Sequence, residues 1–354
     1  MKTNIPERIA ALREAMRQQK VDAYIIPSSD PHLSEYPADR WKSREWISGF
    51  TGSAGTIVVT ADKAGLWTDS RYFLQAASQL EGSGIELYKL ALPETPSITE
   101  FLLHELHAGQ AVGLDGQTYS AAEASALANK LSRKEIKLDT SADLIEGIWK
   151  DRPAVPGNPI FEMPEALSGA SVHEKLDLIN NQLRSEGADC LILAALDEIA
   201  WTFNIRGTDV TYNPVVVSYA FVSEDESVLF IKPEKLTAEI TEHLKKEGVT
   251  LAEYSMIQRY LSRLPENSRV FVDMNKTNVS LYDAIPGSCT IVEGISPANH
   301  LKSIKNETEI KGFQNAVVKD GVALTKFYIW LEKQMAEGAQ VTEISAAEKL
   351  TCLL

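Results

Sequence analysis

The chain has 354 residues, 44% of them apolar and 24% charged, which excludes a disordered, collagen-like or coiled-coil protein. At about 150 residues per domain, the length corresponds to two cores and a remainder. Lys plus Arg number 35 and Asp plus Glu 49, a net charge of −14, which repels phosphates and argues against a nucleic-acid partner.

The opening Met1 to Arg8 lacks the apolar core of a signal peptide. Ile9, Leu12 and Met16 then fall at i, i+3 and i+7, the stripe of an amphipathic helix, with Asn4 and Pro6 at the positions of a cap and first turn. Val21 to Ile26 reads as a buried strand, followed by Asp30 and Tyr36. The loop Ser28-Ser29-Asp30-Pro31-His32 carries turn chemistry first and a candidate histidine second. Thr51-Gly52-Ser53-Ala54-Gly55 imitates a nucleophile elbow but lacks the first glycine, so it reads as a tight turn before a strand. Thr56–Thr60 and Gly65–Thr68 read as a hairpin. Asp69 caps a predicted helix Tyr72–Leu80 and is placed to pair with Arg71.

Helices are predicted at Ile98–His107 and Ala121–Leu131. Glu100, His104 and His107 share one face of the first, which reads as a solvated stripe rather than a metal site. Between residues 153 and 164 lie Pro153, Pro156, Pro159 and Pro164, a density that permits neither helix nor inner strand and marks an interdomain linker.

Beyond the linker, adding 167 to the first residues reproduces the same pattern. Ser171 and Glu174 form a capping box, Leu176, Ile179 and Leu183 form the stripe, and Ala188 to Leu193 form the strand. Asp197 and Phe203 take the places of Asp30 and Tyr36. Asp197-Glu198 could form a carboxylate pair, but adjacent side chains point apart, so a helix N-terminus is preferred. Val215–Val222 and Ser227–Ile231 repeat the hairpin. Each copy is expected to be an α/β unit with a mixed sheet. From Asn306 a long helical pattern runs through Ile310, Phe313, Val317, Leu324, Phe327 and Leu331 to Gly338, and Thr342 starts another helix.

The longest strongly apolar run, Cys190 to Leu196, is too short to span a membrane. Cys190, Cys289 and Cys352 form neither a disulfide framework nor a zinc pattern, and together these features predict a soluble, cytoplasmic chain. From Leu301 onward there is no histidine and one aspartate, Asp320, so this segment cannot assemble a two-metal hydrolytic site.

Several motifs resemble those of the three-domain Xaa-Pro aminopeptidases. They are Ile25 to Tyr36, Ser48 to Thr56, Leu66 to Ala76, Ala195 to Gly207 with Asn213-Pro214 and Tyr219, Trp330-Leu331-Glu332, and Val341 to Ala347. The resemblance implies two tandem creatinase/prolidase N-terminal-like α/β domains with mixed sheets, plus the first helices of an incomplete pita-bread domain. The corresponding divisions are 1–152, a linker 153–164, 165–300 and 301–354. In that family two divalent metals, usually manganese, activate a hydroxide against the bond before a proline at position two. None of those metal ligands matches a position here, so the resemblance assigns no catalytic or metal residue and the chain alone is expected to be inactive. The ending Thr351 to Leu354 departs from the family pattern and is read as a truncation.

The resemblance further implies that the N-terminal domains limit access to short Xaa-Pro peptides and support a homodimer, with no membrane partner. Tyr36, Arg44 and Arg71 flank the Gly-rich loops and are the candidates for the substrate rim. The alternative reading is a stand-alone, histone-chaperone-like module that recognises a basic partner.

Overall fold

A computed structural model describes residues 4–354; Met1–Thr3, part of the stretch read for a leader, lie outside the described residues. The first sheet contains β1 Ala23–Ile26, β2 Thr56–Thr60, β3 Ala64–Thr68, β4 Glu86–Lys89, β5 Ala111–Leu114 and β6 Lys137–Asp139, in the order β4-β3-β2-β1-β5-β6. Next come β7 Phe161–Glu162, β8 Cys190–Leu193, β9 Ile205–Arg206, β10 Ser218–Ser223, β11 Ser227–Ile231, β12 Val249–Ala252, β13 Arg269–Val272 and β14 Thr290–Glu293. β7 and β9 form a small antiparallel ribbon, and the other six make a second sheet in the order β12-β11-β10-β8-β13-β14.

The two large sheets have the same strand directions. In the first, β2 is antiparallel to both neighbours while the β3·β4, β1·β5 and β5·β6 pairs are parallel. In the second, β10 plays the part of β2, and β11·β12, β8·β13 and β13·β14 are parallel. Central strands buried on both faces, such as Tyr24-Ile25-Ile26 and Leu191-Ile192-Leu193, demand the continuous apolar runs seen in the sequence. Each sheet is covered by helices on both sides.

The opening helices are Ile5–Gln19 and Val172–Glu186; 172 − 5 and 190 − 23 both give the offset of 167. Ile5, Ile9, Leu12 and Met16 are buried in the first helix, and Val172, Leu176, Ile179 and Leu183 in the second. The later markers do not follow the repeat. Asp30 is buried in a loop, whereas Asp197 lies in the first turn of helix Leu196–Thr202 and pairs with Lys302. Tyr36 is exposed and Phe203 fully buried. The copies share the helix and strand that build the core and part where the chain leaves it.

Both helices end on a left-handed residue, Lys20 at φ 59° and Gly187 at φ 69°. A lysine pays for its Cβ in this conformation and a glycine does not. Lys20→Gly is therefore expected to stabilise the chain by up to about 1 kcal/mol. An unchanged or lowered thermal midpoint would refute this.

Helices form at Ile98–Glu105 and Ala121–Ser132, with Ser97 and Ser120 as caps; the first stops at Glu105, short of the expected His107, so His107 does not share its helical face with Glu100 and His104. The second hairpin differs from expectation: β10 starts at Ser218, not Val215, because the Val217 N–H donates to the Asp209 carboxylate at 2.7 Å instead of joining the ladder. The expected helix Tyr72–Leu80 splits into a 3₁₀ turn, Ser70–Tyr72, and a helix, Phe73–Gln79. Asn306 and Glu309 form a capping box for a 30-residue helix, Glu307–Ala336, followed by Glu343–Thr351. Ala323 alone is buried in the long helix, while Phe313, Val317, Val318, Val322 and Ile329 are exposed. Among the described residues no helix is long and apolar enough to cross a membrane.

Candidate functional site

The three predicted rim residues do not share one environment. Arg44 is buried, and its guanidinium is used by its own loop: Nε donates to Ser28 Oγ at 2.9 Å, and the two terminal nitrogens donate to the carbonyls of Phe50 and Gly52. Burial lowers its pKa to about 10. Arg44 thus fixes the Gly-rich loop rather than presenting its charge at a surface. Arg71 is exposed and forks onto Asp69, with Nε donating to Oδ1 at 2.9 Å and Nη2 to Oδ2 at 2.8 Å. That pairing pulls the Asp69 carboxyl below its usual range. Tyr36 is exposed as well. Tyr72 bonds Ser53 at 2.6 Å. Gly52 is required here, since a Cβ would sit 2.3 Å from the Phe50 ring and 2.7 Å from that of Tyr72.

The seam between the sheets is closed by backbone hydrogen bonds. Ser120 and Asn278, the caps of helices Ala121–Ser132 and Val279–Asp283, form a β-bridge. Across it, Ala121 and Ala122 donate to the carbonyls of Thr277 and Met274 at 2.9 and 3.0 Å, and Val279 and Ser280 donate to those of Tyr119 and Gly116 at 2.9 and 3.1 Å. Each helix start thus has its free N–H groups satisfied by the loop preceding the other helix.

His32 is also at the seam, buried, 4.4 Å from the Tyr219 ring. Its Nδ1 meets the Ala194 carbonyl at 2.9 Å and its Nε2 the Tyr254 hydroxyl at 3.0 Å. A carbonyl only accepts, so Nδ1 carries the proton and Nε2 accepts from Tyr254. Burial holds the His32 pKa below its usual value, against the pull of Asp30. The expected turn exists as well: Asp30 Oδ1 accepts from the His32 and Ser34 N–H groups, both at 2.9 Å. Sequence reasoning missed the ring's role, because its partners are 162 and 222 residues away.

A third polar cluster holds the start of the long helix. Buried Lys175 donates to the Trp201 carbonyl at 2.9 Å and to Asn204, and its ammonium lies 4.7 Å from the Trp201 ring centre. Burial lowers its pKa to about 8. Trp201 Nε1 donates to Glu309 at 3.2 Å, and Asn306 donates to the Ser168 carbonyl at 2.9 Å.

Asp197 and Glu198 lie at the N-terminus of their helix, Asp197 bound to Lys302 and Glu198 accepting from Asn299 at 3.1 Å. His104 is exposed on a solvated face beside Glu105. Among the described residues no group of three or more His, Cys, Asp or Glu is arranged to hold a metal ion. The residues present therefore do not fit a dinuclear metal site.

The creatinase/prolidase N-terminal domain family matches the chain twice, over residues 8–148 and 151–309. A probable Xaa-Pro aminopeptidase P of Coprinopsis cinerea is 38% identical over 360 residues, covering 97% of this chain and 58% of the relative. Aminopeptidase P2 of Arabidopsis thaliana is 36% identical, covering 99% of this chain and 54% of the relative. The chain thus spans little more than half the length of these curated relatives. The crystal structure of the X-prolyl aminopeptidase of Caenorhabditis elegans, described as a cytosolic enzyme with a di-nuclear active site, superposes with a TM-score of 0.92 at 30% identity, covering 99% of this chain and 59% of that one. With one such domain on either side of the Ser120–Asn278 seam, the chain belongs to the creatinase/prolidase N-terminal domain family, as a counterpart of the N-terminal portion of aminopeptidase P.

Proposed function

We propose that this chain forms the access and docking portion of a cytoplasmic Xaa-Pro aminopeptidase, which releases the residue preceding a proline from short peptides. The observation that carries this reading is the superposition on the C. elegans enzyme over 99% of the chain, long terminal helix included. In this reading residues 1–152 and 165–300 are the two access domains, 153–164 is the linker, and 301–354 opens a pita-bread catalytic domain. The exposed apolar face of Glu307–Ala336 supports the last assignment, since an isolated helix gains stability only by burying such a face.

Arg71 and Tyr36, both exposed on the first domain, are the rim candidates within this proposal; Arg44 supports them by holding the loop. Manganese, the proline-containing peptide and homodimerisation belong to the complete enzyme in the same reading. The chain's own contribution is to narrow the entrance and to position the long helix through Lys175, Trp201 and Glu309.

The test uses the purified 354-residue chain and a fusion that continues it with the remaining part of the C. elegans enzyme. With Mn²⁺ and a peptide bearing proline second, the fusion is expected to release the first residue and the chain alone is not. Arg71→Ala in the fusion is expected to lower kcat/KM several-fold. Robust turnover by the chain alone, or a folded and silent fusion, would overturn the proposal.

A further inference from the structure

At the seam a cavity of about 300 Å³ opens between the sheets, walled by Trp41 and Tyr254 and lined by Asp115, Asp143, Arg40 and Arg152. It lies at the carboxyl end of β5. From β1 the chain turns to β2 on one side, and β5 pairs on the other, so this is the switch point of the first sheet. Crevices at such points are the places where open α/β sheets take ligands. The volume is at the small end of the range for small-molecule sites.

The internal repeat sets this corner beside its equivalent in the second domain, where the matching aspartate has both carboxylate oxygens occupied. Asp115 follows β5 directly, and Asp273 follows β13 in the same way. Both open an Asx turn: Asp115 Oδ1 accepts from Gln117 N at 2.9 Å, and Asp273 Oδ1 from Asn275 N at 3.0 Å. Asp273 Oδ2 is then covered by the Ser296 N–H at 3.3 Å. Asp115 Oδ2 has no such partner among the described hydrogen bonds. In the same lining, the Arg152 side chain is 5% exposed; Nε donates to the Arg40 carbonyl at 3.0 Å and Nη1 to Asp143 and Glu146, while Nη2 makes no hydrogen bond among the described residues. One acceptor and one donor, both charged, therefore remain unspent in one pocket.

We propose that the seam cavity binds a free α-amino acid as its zwitterion, with the ammonium on Asp115 and the carboxylate on Arg152. A ligand with one charge leaves one of these groups without a counter-charge, whereas a zwitterion pairs with both without changing the net charge of the pocket. Trp41 and Tyr254 form the apolar wall for the ligand side chain. Burial and the neighbouring Asp143 raise the Asp115 pKa to about 6, and an ammonium on Oδ2 would relieve that crowding. The inference stands apart from the aminopeptidase reading, since it concerns this chain alone.

The experiment is calorimetric titration of the 354-residue chain with glycine, L-leucine and L-proline. Saturable one-to-one binding of at least one is expected at about pH 7, weakening as pH falls below about 6, where Asp115 takes up a proton. N-acetyl-leucine and leucinamide, each lacking one charge, are expected to bind at least tenfold more weakly. Asp115→Asn keeps the acceptor for Gln117 N and so the turn, and is also expected to weaken binding tenfold or more. No saturable binding by any of the three amino acids would overturn the proposal. So would equal binding of the single-charge analogues, or undiminished binding by folded Asp115→Asn. The analogue comparison uses the unaltered chain and decides the matter even if the variant does not fold.

Discussion

Asp209→Ala is expected to destabilise the chain by about 3–5 kcal/mol, read as a lower midpoint in urea unfolding. Asp209 and Lys235 form an ion pair whose side chains are 1% and 0% exposed. The Lys235 ammonium has no other hydrogen-bond partner among the described contacts, and burial already presses its pKa down while Asp209 opposes the shift. Removing the carboxylate leaves a buried cation and also frees the Val217 N–H. The damage would reach the seam, because Val210, Val215 and Val217 pack with Ala38 and Trp41 of the first domain. Lys235→Met with Asp209→Leu is expected to recover much of the loss, since a well-packed apolar pair can match a buried ion pair. An Asp209→Ala variant within about 0.5 kcal/mol of the parent would show that the pair contributes nothing.

His32→Ala is the second large effect, at about 2–4 kcal/mol, because it strands the Ala194 carbonyl and the Tyr254 hydroxyl and removes a ring packed on Tyr219. It should also change the pH dependence. The folded pKa of His32 lies below its unfolded value near 6.5, so the unfolded chain binds more protons between those two values. The contribution is present above about pH 6.5 and is lost as pH falls through the folded pKa. Asp115 acts in the opposite sense. Its folded pKa is raised to about 6, so its contribution is present below its unfolded value and is lost as pH rises through about 6. His32→Asn offers a donor for Ala194 that does not titrate. Chemical denaturation across this window should show a shallower acid loss for His32→Asn than for the parent. Parallel curves would remove His32 from the account.

The contrast between residues read correctly and residues misread follows from the range of the contacts. Ile9, Leu12 and Met16 announce their helix because its period is local, and Leu176, Ile179 and Leu183 repeat it. Ser171 and Asn306 announce helix starts because a capping box closes within four residues. Arg44 reads as a rim residue from its position next to glycines, but its partners are two backbone carbonyls and a serine hydroxyl, which composition does not reveal. Asp197 matched Asp30 by offset alone, although one caps a loop and the other starts a helix. The ion pair of Asp209 and Lys235 and the ring of His32 depend on tertiary closure, and no periodicity connects them.

The crossed backbone bonds at Ser120 and Asn278 have a mechanical consequence. To rotate one domain against the other, four N–H groups must leave their carbonyls together, without solvent waiting to replace them at the two buried caps. The pair therefore behaves as one lever arm rather than two. Torque applied to the long helix has nowhere to dissipate at the seam. It arrives at Ile304 and Lys305, two exposed residues between the helix Pro297–Ser303 and the anchor of Asn306 on Ser168. If the long helix pivots at all, the fulcrum is there.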